Sequence, residues 1–146
     1  MIQGIPYLQS VLAPVLALIV WSLAIWLWMY IKRIPAMTKA GINPNDAKHP
    51  GSLSVLPEDV RSAADNYNHL MEQPTIFYAL AVLTYLLSLQ SPMTAGLAWA
   101  YVGLRIVHSL VQVTVNAVTL RFLVFVVSTI VLMVWTGCVA IGVVGS

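Results

Sequence analysis

Long stretches without a charged residue alternate with one short polar region along this chain. Residues 1–31 and 73–104 contain no Asp, Glu, Lys or Arg, and residues 106–146 contain only Arg121. Ten of the twelve charged side chains lie between residues 32 and 72. Because a helix that spans a bilayer needs about 20 mostly apolar residues, the uncharged stretches predict membrane-spanning helices.

Turn signals divide these stretches into four predicted helices. The first ends in an aromatic cluster followed by Lys32 and Arg33, an order typical of a membrane surface. Residues 34–56 hold five Pro and Gly among polar residues and predict the only long loop. Pro57, followed by two acidic residues, is typical of the first turn of a helix. The four helices are predicted at about residues 7–31, 57–89, 93–115 and 119–144.

The short turns favour one domain over residues 1–146, an all-α integral membrane four-helix bundle. Its N-terminal apolar run has no basic region before it and is too long for the core of a signal peptide, so we expect it to be retained. The loop after helix 1 and the turn after helix 3 share a side with most of the basic residues. The positive-inside rule makes that side cytoplasmic and places both termini across the inner or plasma membrane.

The composition is also typical of an integral membrane protein, and the charge argues against a nucleic acid partner. Hydrophobic residues make up 60% of the chain and charged residues 8%, whereas about 25% of a soluble domain is charged. The formal charge is only +2, and the basic residues follow a membrane face, so we expect no nucleic acid partner. Cys138 lies in an apolar helix and is expected to pack. Two interpretations stay open for four ring side chains: they anchor the protein at the lipid surface, or they pack in the interior. They are Trp21, Trp99, Tyr101 and Trp135.

Two rows of polar residues run along predicted helices 2 and 3. Spacings of 4, 3 and 4 on helix 2, and of 3, 4 and 4 on helix 3, keep each row on a narrow face. An ionisable side chain at membrane depth costs roughly 2.5 to 3.5 kcal/mol. Glu72 and Arg105 should therefore form an ion pair, lie near the membrane interface or lie in a polar cavity, and a cavity open to the cytoplasm explains them most simply. The size of the set favours a binding site over structural linkage. The rows are Arg61, Asp65, Asn68 and Glu72, and Arg105, His108, Gln112 and Asn116.

The three histidines predict no metal site. His108 taken singly is more often a hydrogen-bonded core side chain than a metal ligand, and no second His or Cys stands at ligand spacing from it. His69 is expected to face a different neighbour or solvent, and His49 lies in the predicted loop. We expect neither of these two to be functional.

Three segments in order carry a resemblance to a known family. They are RSAADNYNHLMEQP at residues 61–74, LRIVHSLVQ at 104–112, and the stretch from Asn116 to Arg121 and Phe122. An Asn and a Glu on helix 2 precede a Pro, an Arg-x-x-His lies on helix 3, and a second Arg follows sixteen residues after the first. The chain thereby resembles bacterial-type members of the membrane-associated proteins in eicosanoid and glutathione metabolism, the MAPEG family, over nearly its whole length.

The resemblance implies a homotrimer that binds glutathione as co-substrate between subunits near the cytoplasmic face. The family's enzymes conjugate glutathione to apolar electrophiles from the bilayer, or reduce lipid hydroperoxides with it. Arg121 matches the arginine proposed to hold the glutathione thiolate, since a nearby cation lowers the pKa of a thiol. Glu72 would take the amino group. The resemblance also implies contacts with the carboxylates and peptide bonds of glutathione. The residues that would make them are Arg33, Asn68, Arg105, His108 and Gln112.

Two other functions stay open. Established enzymes of the family often have a tyrosine where Gln112 falls and a denser basic signature on helix 2, so a non-catalytic lipid-binding or regulatory bundle of the same fold is the alternative. A small proton-coupled exporter is a third interpretation. Such transporters usually carry their buried carboxylate on helix 1, and helix 1 has none here.

Overall fold

The computed structural model describes residues 10–49 and 51–145, and in this part of the chain every long element is a helix. A single 3-10 turn at Pro44–Asp46 lies in the loop between the first two helices. The predicted all-α class is confirmed. The helices are α1 (Leu12–Lys39), α2 (Glu58–Glu72), α3 (Pro74–Leu86), α4 (Pro92–Val113) and α5 (Val118–Val144).

Three of the described helices are long and apolar enough to cross a bilayer. These are α1, α4 and α5, with mean hydropathies of 2.1, 1.2 and 2.4 in their most apolar windows. The 13 residues of α3 extend about 20 Å at about 1.5 Å per residue, which is less than the hydrocarbon thickness of about 30 Å. The fourth span, expected within residues 57–89, would need part of α2 as well and stays a prediction.

The first helix is longer than its sequence predicted. We expected it to end near residue 31, but α1 continues through Pro35, and the loop is correspondingly shorter. A proline inside a helix removes one hydrogen bond without reversing the chain. Gly41 ends the helix instead: it has φ +66°, and its amide and the next one donate to the carbonyls of Thr38 and Met37. This arrangement satisfies carbonyls that a helix end leaves free.

Predicted helix 2 is interrupted by a proline. Gln73 keeps helical angles, φ −61° and ψ −37°, so the chain passes from α2 into α3 without a loop. Pro74 has no N–H to donate to the residue four positions earlier, and carbonyls near the end of α2 need other donors. The hydroxyl of Thr75 donates to the carbonyl of Glu72 at 2.6 Å. The chain therefore continues from α2 into α3, and only the backbone hydrogen bonding is interrupted at Pro74.

An aromatic cluster forms the centre of the apolar core. The ring of Phe77 stacks on Tyr101 with centroids 4.8 Å apart and meets the edge of Trp135 at 5.8 Å. All three side chains are fully buried, so Tyr101 and Trp135 are packing residues rather than lipid anchors. Many large apolar side chains of α1 and α5 stay exposed on the outer surface, as expected of helices that face lipid.

The polar half of α2 lies beside the end of α1. Lys32 donates to a carboxylate oxygen of Asp59 at 2.6 Å, and both side chains are partly exposed. The hydrogen bond from Lys32 lowers the pKa of the Asp59 carboxyl. Exposed pairs of this kind contribute little stability.

Candidate functional site

Arg121 lies in the first turn of α5 and is held by the turn that precedes it. Asn116 has φ +48°, a left-handed conformation that Asn adopts more readily than most residues. Its Oδ1 accepts a hydrogen bond from Nη1 of Arg121 at 2.6 Å. Its Nδ2 donates to Oε1 of Glu58 at 3.2 Å and to Oγ of Ser62 at 3.4 Å. The side-chain amide of Asn116 therefore links the turn between α4 and α5 to the start of α2 and to the guanidinium of Arg121.

A groove of about 270 Å³ opens beside Arg121. Nε of Arg121 is buried and has no hydrogen-bond partner among the described residues, so the guanidinium keeps a donor to spare. The groove is lined by His69 and Glu72 from α2, His108 from α4, and Val118, Arg121, Phe122 and Phe125 from α5. Three predicted site residues, Glu72, His108 and Arg121, are thus brought together.

His69 belongs to this groove, and the expectation that it faces elsewhere is wrong. Its Nδ1 lies 3.3 Å from Oε2 of Glu72, and its ring stands edge-to-face to His108 with centroids 5.9 Å apart. The sequence held one signal for this position, because residues three apart lie on the same side of a helix and His69 stands three before Glu72.

The face of α2 that meets α4 is not the predicted polar row. Asn66 and His69 form the contact: Oδ1 of the fully buried Asn66 accepts from the hydroxyl of Ser109 at 2.7 Å, and the carbonyl of His69 accepts from Arg105. The residues of this face are displaced by one position along the sequence from the predicted row, which corresponds to a rotation of about 100° around the helix axis. The predicted row, Arg61, Asp65, Asn68 and Glu72, is exposed on the single chain.

Arg105 and Gln112 lie in the interior, each with 1% of its surface exposed. Nη2 of Arg105 donates to the carbonyl of His69 at 2.7 Å, near the interrupted end of α2, and the guanidinium lies 5.7 Å from the ring centre of Phe125. Glu72 pairs with His69 instead of Arg105. Nε and Nη1 of Arg105 and Oε1 of Gln112 are buried without partners in the described part of the chain.

Arg33 and Asn68 line a second, larger cavity of about 520 Å³ between α1, α2 and the loop. Lys48, Arg61 and Asp65 supply its other charged walls. Residues of α2 line both the cavity and the groove, but the two share no lining residue. The structure therefore distributes the predicted binding residues over the groove, the interior behind it and this loop cavity. Within the described residues, no cluster of three His, Cys, Asp or Glu side chains could hold a metal ion.

Replacing Asn116 with glycine should loosen Arg121 while keeping the turn. A glycine at this position would adopt the positive φ without strain, but the bonds to Arg121, Glu58 and Ser62 would be lost. At about 0.5 to 1.5 kcal/mol for each of the three hydrogen bonds, we expect a fall in unfolding free energy of about 1.5 to 4.5 kcal/mol, measured by thermal unfolding in detergent. Asn116→Ala loses the same bonds and adds backbone strain, so it should unfold earlier. Equal midpoints for the two variants would contradict the left-handed turn.

Comparison with known proteins agrees with the resemblance carried by the three sequence segments. The sequence model of the MAPEG family matches residues 11–141, which is most of the chain. Comparisons with curated proteins and with solved structures gave no match. The family includes glutathione transferases and peroxidases as well as non-catalytic members, and the three apolar helices fit its membrane location. This chain therefore belongs to the MAPEG family of integral membrane proteins.

Proposed function

We propose that this protein is a membrane-embedded glutathione-dependent transferase or peroxidase, with the glutathione thiol in the groove beside Arg121. One observation carries the proposal. The guanidinium of Arg121 is fixed by Asn116 at 2.6 Å, keeps a buried Nε without a partner among the described residues, and lines a groove with both polar and aromatic walls.

The electrostatics of this position favour a thiolate. A free thiol of the cysteine type has a pKa of about 8.5, so only a few per cent is ionised at neutral pH. An adjacent guanidinium lowers the pKa of such a thiol, and the first turn of a helix carries the positive end of its dipole. Arg121 combines both effects, because it lies in the first turn of α5.

The charged ends of glutathione have matching partners nearby. Glu72 uses one carboxylate oxygen toward His69 and has two thirds of its side chain exposed, which leaves the other oxygen for the amino group. Arg33 and Asn68 would meet a carboxylate in the loop cavity. Arg105, with two buried nitrogens that lack partners among the described residues, adds positive potential from the interior. His108 lines the groove, and Gln112 would contribute from its buried position in the interior.

The apolar part of the groove suits a second substrate from the lipid. Phe125 lines it, and Phe122, which also lines it, is mostly exposed on the outer surface of α5. An apolar electrophile could therefore reach the thiolate without crossing water. The thiolate sulfur would form a bond to the electrophilic carbon while the leaving group departs with its electron pair. With a lipid hydroperoxide the sulfur would instead attack the terminal oxygen, the O–O bond would break and the alkoxide would leave and take a proton, and a second glutathione would convert the resulting sulfenic acid into the disulfide and water.

The proposal includes a homotrimer. The predicted polar row of α2 is exposed on the single chain, and charged side chains toward lipid are costly. A neighbouring copy would cover this row and close the groove and loop cavity into one cleft. Mass measurement of the detergent-solubilised protein tests the assembly, and a monomer under mild detergent would contradict it.

A binding titration tests the function itself. We expect heat of binding when glutathione is added to the purified protein in detergent, and conjugation when an activated aryl halide follows. The analogue with serine in place of cysteine should bind without reacting, which separates recognition from chemistry. Lipid binding without any heat from glutathione would instead favour the non-catalytic regulatory bundle.

A further inference from the structure

His69 and Glu72 form a paired imidazole and carboxylate inside the groove that the thiolate contact with Arg121 does not use. We infer that His69, oriented by Glu72, is the base that removes the proton from the glutathione thiol. This inference rests on the proposed function and names the fate of the proton in it.

The geometry suits a base that accepts through Nε2. Oε2 of Glu72 lies 3.3 Å from Nδ1 of His69, and a carboxylate there holds the proton on Nδ1, which leaves Nε2 as the acceptor of a neutral ring. The backbone of the same residue is fixed, since Arg105 donates to the His69 carbonyl at 2.7 Å. Ring and backbone are thus both held in place.

The charges around His69 come from three helices. Glu72 lies on α2 itself, Arg105 and His108 come from α4, and Arg121 comes from α5. The carboxylate of Glu72 is placed to stabilise the imidazolium that forms when the ring takes a proton. Lys32, on α1, pairs with Asp59 and is not among the residues that line the groove.

His108 is the other histidine of the groove, and it suits this role less. Only 5% of its surface is exposed, and its ring contacts are with His69 and Phe125. The side chain of His69 is 37% exposed, so a thiol entering the groove can reach it. The carboxylate partner also belongs to His69.

The step balances without any further reagent. The S–H bond of glutathione breaks and its proton forms an N–H bond on Nε2, which leaves a thiolate beside Arg121 and an imidazolium paired with Glu72. The thiolate then forms the C–S bond. With an aryl halide the halide leaves with the bonding electrons and His69 releases its proton to water. With an activated alkene, the imidazolium returns the proton to the adjacent carbon.

The test is the pH profile of conjugation by the full-length protein and by His69→Gln. Wild-type kcat/KM should rise over roughly pH 5 to 8, the range in which an imidazole loses its proton. At pH 5.5 the variant should be slower by about tenfold, less than the full contribution of a general base because the cation beside the thiol already ionises a small part of it. Above the pKa of about 7 expected for a thiol beside a cation, the two should converge, with KM for glutathione changed less than about threefold. Lys39→Ala, at the end of α1 and outside both the groove and the loop cavity, should follow the wild type.

The outcomes separate this inference from the function beneath it. No conjugation by the wild type would overturn both. An active wild type with an unchanged pH profile in His69→Gln would overturn the base alone, as would an equal loss at every pH with a raised KM. Should His69→Gln fail to fold, Glu72→Gln takes its place, with an expected loss of kcat at pH 5.5 that vanishes at high pH. Its KM for glutathione should be raised at every pH, because Glu72 also takes the amino group. An unshifted profile in that variant also overturns the inference.

Discussion

Arg121→Ala is expected to lower kcat/KM for glutathione conjugation by about ten- to thirtyfold at pH 7. A thiol next to a cation has a pKa of about 7, compared with about 8.5 when it is free, so the thiolate fraction at pH 7 falls by roughly that factor. The loss should shrink as pH rises through the pKa of the free thiol. Steady-state rates between pH 6 and 9, with the ultraviolet absorbance of bound thiolate, measure both effects.

Two variants control for unrelated damage by this substitution. Arg121→Lys keeps the charge but has one donor group in place of a planar fork, so it should retain part of the activity. Lys39→Ala removes a cation at the end of α1, outside the groove, and should behave like the wild type. Full activity of a folded Arg121→Ala protein, with an unaltered pH profile, would show that Arg121 does not stabilise the thiolate.

Trp135→Ala should be the most destabilising single change in the core, by about 3 to 5 kcal/mol. The ring is fully buried and contacts Phe77 at 5.8 Å between centroids, so its removal leaves a cavity where α3 and α5 meet. Its Nε1 has no hydrogen-bond partner among the described residues, so the loss is one of packing. Unfolding in mixed micelles with increasing denaturing detergent measures it.

A tryptophan on the outer surface provides the control for that experiment. Trp26 is 42% exposed and has one ring contact, with Tyr30 at 4.9 Å. Its replacement by alanine should cost less than about 1 kcal/mol, because the change leaves the buried core intact. If the two tryptophan variants unfolded at the same denaturant fraction, the aromatic cluster would not be the centre of the core.

The boundaries of the helices show where local signals were sufficient. The predicted start near Pro57 agrees with α2, and the turn before Pro92 agrees with α4, because capping and proline effects depend only on neighbouring residues. The end of α1 was predicted too early, since Gly41 and not Pro35 reverses the chain. Pro74 interrupts predicted helix 2 without a turn.

The candidate site shows where local signals were insufficient. Arg121, Glu72 and His108 could be named from their positions in the polar rows and the family resemblance, and all three line one groove. His69 was missed, although it stands three residues before Glu72, because neighbouring residues of a helix point about 100° apart and His69 lies beside the predicted row rather than in it. Periodicity alone does not say which of two polar faces meets α4.

The sequence by itself determined the class of this protein, because an apolar helix satisfies its own backbone hydrogen bonds and needs no partner to enter a bilayer. The concentration of ten of its twelve charges between residues 32 and 72 is likewise visible without coordinates. Only the tertiary structure decided how α2 is rotated about its axis, because packing against α4 through Asn66 and Arg105 sets that angle. The same rotation placed His69 beside Glu72 in the groove of Arg121.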